Sequence, residues 1–333
     1  MGLSYPWGMA EPLDLSIPGL AARLTDEAAA YELLEELRWN GKPVCPHCGS
    51  VAKHYFLSPK ASEGRKTRTG TVTARRVWKC KDCRKQFTVL VGTIFHGTKI
   101  PLRTWLFVVI EMCASKNGVA AREIQRKYNL TAKSAWFMTQ RIREAMKANP
   151  GTLVGTIIAD ETNIGGKPKY KQGKLRGRPG EKNYPEKSKV LTLVNRDTGE
   201  ARSRVIPDVT SDTLGTAIMR AVDIDNSQLM TDEWQGYDMV GRWFGNGHQT
   251  VFHAGHEYVR GNVTTNAVES FFSQLKRSID GTHHAVSHQH LHRYLAEFDF
   301  RHSTRKLSDA KRVARLMGQT HGRRLQYRGG IVR

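Results

Sequence analysis

The chain holds 333 residues, 39% of them hydrophobic, with 52 Lys and Arg against 31 Asp and Glu for a formal net charge of +21. That length allows two or three domains with a sizeable core, and no apolar run approaches the ~18 residues that a membrane span needs. The charge makes a polyanion the expected partner, nucleic acid being the commonest; five cysteines without a signal-peptide pattern point to a cytoplasmic, reducing setting with a metal site rather than a disulfide scaffold.

Residues 25–39 predict a helix. Thr25 is the expected N-cap, Asp26 and Glu27 suit the positive end of the helix dipole, and Ala30, Leu33, Leu34 and Leu37 form one apolar stripe before Asn40-Gly41 stops it. Cys45-Pro46-His47-Cys48 and Cys80-Lys81-Asp82-Cys83 follow, with 31 residues between Cys48 and Cys80. Two C-x-x-C pairs are the sequence form of a zinc ribbon: each pair bends the chain so that two thiolates face one tetrahedral, structural ion. A redox motif would need only one such pair. His47, inside a knuckle, is an alternative ligand. His54-Tyr55-Phe56, Arg76-Val77-Trp78 and residues 86–89 are the strand-like pieces, and the insert 58–79 holds seven basic residues against one acid, Glu63.

Residues 101–147 turn helical. The run 102–113 is apolar with a period near 3.6, and Cys113 within it reads as core. Residues 120–128, the turn Asn129-Leu130-Thr131 and residues 132–147 read as helix, turn, helix; the second helix carries Lys133, Arg141, Arg143 and Lys147 beside Trp136, Phe137 and Ile142. A plain helical hairpin and a DNA-docking helix-turn-helix both fit; the charge favours DNA, with Lys133 and Arg141 as contacts.

Leu153-Val154-Gly155-Thr156-Ile157-Ile158-Ala159-Asp160-Glu161 predicts a buried strand that ends on acid at a sheet edge. Residues 227–233 repeat the arrangement, ending Thr231-Asp232-Glu233, with Asp232 lying 72 residues after Asp160. Neighbours on a strand face opposite ways, so one acid of each adjacent pair can face a shared site. Two such carboxylates repel unless a cation lies between them, and Glu269, on a helix predicted over 264–279, can complete a divalent-metal site. At about 100° per residue, Asn266, Glu269 and Lys276 share one face of that helix, with Val268, Phe271, Phe272 and Leu275 on another. Residues 165–189, with nine basic residues and two acids, read as a basic loop over this site; Lys167, Lys169, Lys171, Lys174, Arg176 and Arg178 would meet phosphates. A hairpin over 190–209, helices over 211–222 and 233–244 and a strand at 250–253 complete an α/β pattern with a mixed sheet. The five expected parts are a helical segment (1–40), a zinc ribbon (41–98), a helix-turn-helix-like domain (99–150), a ribonuclease-H-like catalytic domain (151–305) and a basic tail (306–333).

Hard carboxylate oxygens at two strand ends and on a following helix suit magnesium or manganese; two ions about 4 Å apart would support in-line phosphoryl transfer. No G-x-x-x-x-G-K-[ST] is present, which argues against a P-loop motor. His288-Gln289-His290 with His292 and Tyr294 offers a weaker nuclease-like cluster.

The sequence resembles bacterial insertion-sequence transposases of the DDE superfamily with an N-terminal zinc ribbon, the ISXO2-like transposases. The resemblance rests on Glu35-Glu36-Leu37-Arg38-Trp39 before the first knuckle, and on the second knuckle running through Gln86-Phe87-Thr88 to Gly92-Thr93-Ile94-Phe95. It continues in Asp160-Glu161-Thr162 with Gly165-Gly166-Lys167, in Thr231-Asp232, and in Asn266-Ala267-Val268-Glu269-Ser270-Phe271-Phe272 with Leu275-Lys276-Arg277. It implies Asp160, Asp232 and Glu269 as a catalytic acidic triad with Lys276 as basic companion. It also implies cleavage of double-stranded DNA at element ends followed by strand transfer, in a homodimer or larger assembly at the nucleoid. The alternatives are a non-catalytic DNA-binding regulator derived from a transposase and a ribonuclease-H-fold nuclease.

Overall fold

The computed structural model describes residues 14–57, 65–66, 72–73, 76–148, 151–165, 170–171, 174–175, 187–252, 259–260 and 263–326. Where the sequence suggests five parts, the fold gathers the chain into two compact units: residues 1–115, 121–145 and 307–333 in one, and residues 116–120 and 146–306 in the other.

In the first unit, α1 (Ile17–Arg23) leads to α2 (Glu27–Trp39). The cap of α2 is Asp26 rather than Thr25: its carboxylate accepts from the Ala29 N–H at 2.8 Å, while Asn40 ends the helix in the left-handed region at φ 43°. The predicted stripe is buried, and Glu35 on the same helix accepts from Trp78 Nε1 and Arg76 Nε, both at 2.9 Å. Strands β1 (His54–Phe56), β4 (Trp78–Cys80) and β5 (Gln86–Phe87) make the three-stranded ribbon in the order β1-β4-β5; a short pair, β2 (Arg65–Lys66) with β3 (Val72–Thr73), lies in the insert. Helix α3 (Leu102–Ala114) buries eight residues, Cys113 among them. The carboxylate of Glu27 caps it by accepting from the Leu102 and Arg103 N–H groups at 2.5 and 3.2 Å. Helices α4 (Ala121–Lys127) and α5 (Ala132–Met146) follow.

The segment expected as a basic tail carries α10 (Asp309–Gly318), whose Val313, Leu316 and Met317 are buried. That i, i+3, i+4 stripe is a packing face that a count of charges conceals. The Gly322 N–H donates to Gly92 O at 2.8 Å and Arg323 reaches Glu144 O at 3.1 Å, so residues 322 and 323 are tied into the first unit.

The second unit is built on a mixed sheet. Strands β6 (Leu153–Ile164), β9 (Ser188–Asn195), β10 (Ala201–Ile206), β11 (Val222–Thr231) and β12 (His248–Thr250) lie in the order β10-β9-β6-β11-β12. The pairs β10/β9 and β9/β6 are antiparallel; β6/β11 and β11/β12 are parallel. This is the mixed α/β architecture expected of a ribonuclease-H-like domain. Short pairs β7 (Tyr170–Lys171) with β8 (Lys174–Leu175), and β13 (Val259–Arg260) with β14 (Val263–Thr264), lie in the connections.

Alternation along β6 sorts its side chains between two cores. Ile157 and Ala159 join Leu191, Leu193 and Leu229 under α6 (Ser211–Met219) and α7 (Asp238–Gly241). On the opposite face Ile158 and Ile164 join Val190, Val194 and Met230 under α8 (Asn266–Ser278) and α9 (His288–Ser303). Strand β6 does not end at Asp160 but runs four residues further, and it is central rather than at an edge. Its partner β9 stays paired to Ile164↔Ser188, whereas β11 stops at Thr231. One flank of β6 therefore opens beside Asp160.

Candidate metal centres

The first centre lies in the first unit. Cys45, Cys48, Cys80 and Cys83 place their sulfurs within 4.8 Å of one another, and among the described residues no other such group of three or more is gathered. Cys45 and Cys83 sulfurs are 3.6 Å apart and those of Cys48 and Cys80 are 3.7 Å apart. Four thiolates at about 2.3 Å from a tetrahedral zinc sit about 3.8 Å from one another, so the quartet fits zinc. The knuckles are pre-shaped by backbone: Gly49 N–H donates to Cys45 O at 2.9 Å with φ 73° at Gly49, and Cys80 N–H donates to Lys85 O at 3.1 Å. Ser50 donates to Asp82 at 2.5 Å, pinning one knuckle to the other. Burial pushes the Cys80 thiol up, but N–H groups of Cys83 and Asp82 and the adjacent thiols outweigh it and bring it down to about 6. His47 is exposed and outside the quartet.

A looser, acidic grouping lies in the second unit; its carboxylates are not gathered as the four sulfurs are. In the parallel pair β6/β11 the last register pair is Ile158 with Met230; Asp160 lies two residues further along β6, and Asp232 two residues further in the chain, just past the end of β11. Asp160 shares a sheet face with Ile158 and Ile164, the face that α8 covers. Glu161 turns to the other face and accepts from the hydroxyl of fully buried Tyr237. Asp232 is fixed by an Asx turn, its carboxylate accepting from the Trp234 N–H at 3.1 Å. Glu269 stands in the first turn of α8 and accepts from the Thr265 hydroxyl at 2.8 Å. Burial above all holds the Asp160 carboxyl up at about 7; the Glu161 N–H opposes it, and the charges of Asp232, Glu161 and Glu269 add to it. Burial holds Tyr237 well above the usual phenol range, with Glu161 adding to it. A divalent cation would relieve the repulsion that Asp160 carries, and carboxylate oxygens are the donors that magnesium and manganese take.

Along α8, Val268, Phe271, Phe272 and Leu275 are buried, while Asn266, Glu269 and Lys276 are exposed. Lys133 is exposed near the start of α5 in the first unit. Arg141 does not have the geometry of a DNA contact: it is 5% exposed, donates to His96 O at 2.7 Å and lies over the rings of Trp105 and Phe137. The helical period that buries Met138 and Ile142 carries Arg141 inward with them, and Arg143 likewise. Lys167, Lys169, Arg176 and Arg178 lie outside the described residues; Lys171 and Lys174 are placed only as backbone in β7 and β8. Thr265, Tyr237 and Trp234 are the parts of this site that the sequence did not announce. Trp234 and Tyr237 do follow Asp232 closely in the chain, but their placement depends on the fold.

Comparison with known proteins gives two family matches: the ISXO2-like transposase domain over residues 152–303 and the transposase zinc-ribbon domain over residues 25–86. A relative from Halobacterium salinarum, described as an uncharacterized protein in transposable element ISH50, is 27% identical over 286 residues, covering 83% of this chain and 90% of its own length.

Proposed function

The chain belongs to the ISXO2-like transposases, and from that premise we propose that it cuts and joins double-stranded DNA at the ends of an insertion sequence through a divalent-metal site made by Asp160, Asp232 and Glu269. What supports this is that Asp160 and Asp232 each lie two residues past the last β6/β11 register pair, and that the charges of Asp232 and Glu269 both raise Asp160. When bound, magnesium or manganese would activate the attacking oxygen and stabilise the leaving one. The chain's own residues do the rest. Asp160 and Asp232 offer oxygens from a rigid sheet, Thr265 aims Glu269, and Lys276, two turns further along the same face, meets a phosphate. Asn266, at the exposed start of α8, contacts the scissile phosphate. The exposed Lys133 and the basic stretch 165–189 add sequence-independent phosphate contacts. Zinc in the cysteine quartet would be structural, since four thiolates leave no open coordination position. Holding two ends at once requires two or more copies on the DNA.

The test is cleavage of a plasmid carrying the element's own ends. With magnesium the wild type nicks the plasmid and joins ends; Asp160→Asn, Asp232→Asn and Glu269→Gln each lower the rate by orders of magnitude while retaining DNA binding. Wild-type protein that binds the ends but never cuts them would make the chain a DNA-binding regulator instead.

A further inference from the structure

Trp234 is 47% exposed, although tryptophan is ordinarily well buried. It stands two residues after Asp232, and its backbone N–H is the donor that fixes the Asp232 carboxylate. The indole is seated rather than loose. A Cβ at Gly236 would lie 2.4 Å from Trp234 Nε1 and 2.8 Å from its Cδ1, so the pyrrole edge occupies the space a side chain there would need. The same Nε1 reaches the Val209 carbonyl at 3.5 Å. One side of the ring is thus held by the chain and the rest faces solvent. The neighbourhood is acidic: Asp232 and Glu233 directly precede Trp234 in the chain, and Asp160 and Glu161 of β6 feel the charge of Asp232. Without counter-ions such a place repels phosphate, but it does not repel the neutral face of a nucleobase.

We propose that Trp234 is a stacking platform for an unpaired base of the DNA strand whose phosphate is presented to Asp160 and Asp232. Stacking on an indole needs no particular base, because every base has a π-face. It would hold the strand splayed at the step being cut, with the anchoring hydrogen bond to Asp232 linking base position to carboxylate position. This rests on the acid-site reading and assigns it a positioning residue; Trp234 touches the base and not the reacting atoms.

The test uses full-length, zinc-loaded protein in calcium, with a single-stranded thymidine oligonucleotide and the same strand made wholly abasic. Wild type, Trp234→Ala and Trp234→Phe are compared by anisotropy. Stacking predicts that Trp234→Ala weakens binding to the intact strand roughly 5- to 100-fold, that Trp234→Phe restores most of it, and that the abasic strand does not distinguish the three proteins. Equal loss on both strands, or loss on neither, would overturn the proposal. So would a change of oligomeric state in Trp234→Ala, which would make the exposed Trp234, Met239 and Trp243 a contact between copies. The acid-site reading fails separately: Asp160→Asn that still cuts DNA refutes it and leaves the base-dependent affinity to be read on its own.

Discussion

Replacing Asp160 by Asn should stabilise the protein in the absence of divalent cation. The folded Asp160 titrates near 7, against 3.8 for the free side chain, because it is buried among Asp232, Glu161 and Glu269. A carboxyl raised in the folded state contributes stability that is complete below pH about 4 and is lost as pH rises through about 7. At about 1.4 kcal/mol per pH unit, that loss approaches about 4 kcal/mol at pH 8, and about 2 once solvent screening is allowed for. Asparagine keeps the shape and removes the charge, so the variant should melt roughly 4–8 °C higher at pH 8, with no difference at pH 4. Magnesium should reverse the order: at a hundred times the wild-type dissociation constant it adds about 2.7 kcal/mol to the wild type and only about 0.4 kcal/mol to a variant that binds it a hundredfold more weakly. The assay is calorimetry on zinc-loaded protein at pH 4 and pH 8, with and without magnesium. A variant less stable than wild type at pH 8 without metal would mean that Asp160 holds the sheet together and is not a ligand waiting for a cation.

Other outcomes follow from the same geometry. Cys80→Ser should release the one zinc that a chromophoric chelator counts in the wild type and disorder the ribbon around Phe87; retention of that zinc refutes the quartet. Lys276→Ala should weaken DNA binding and lower the slope of log affinity against log salt by about 1, leaving manganese affinity unchanged; an unaltered slope removes Lys276 from the phosphate. Arg141→Ala should destabilise the protein by about 2–3 kcal/mol through a lost buried hydrogen bond and stacking. A fully stable Arg141→Ala protein that had lost DNA binding would restore Arg141 as a contact.

Much of this was legible because chemistry forces it into short spacings. Two C-x-x-C pairs leave little freedom for the quartet, and an acid after β-branched residues marks β6. The residues that misled did so for physical reasons. Asp160 looks like a terminator, yet Thr162 and Ile164 carry the alternation on, and the site opens because β11 lets go, which no property of β6 reveals. Arg141 reads as surface by charge, but its neighbours Met138 and Ile142 set its face. The stripe Val313, Leu316 and Met317 hides among Lys311, Arg312 and Arg315. The choice between Asp160 and Glu161 is a matter of sheet face, on which the sequence offers only the family resemblance; Tyr237 engages Glu161 on the opposite face.

The most direct measurement of the central claim is manganese binding followed by paramagnetic resonance on zinc-loaded protein. Wild type should take up manganese at the acid site. Asp160→Asn, Asp232→Asn and Glu269→Gln should each weaken that binding at least tenfold, while Glu161→Gln, on the far face with Tyr237, should leave it unchanged. Loss of binding in Glu161→Gln with full binding in Glu269→Gln would contradict the account.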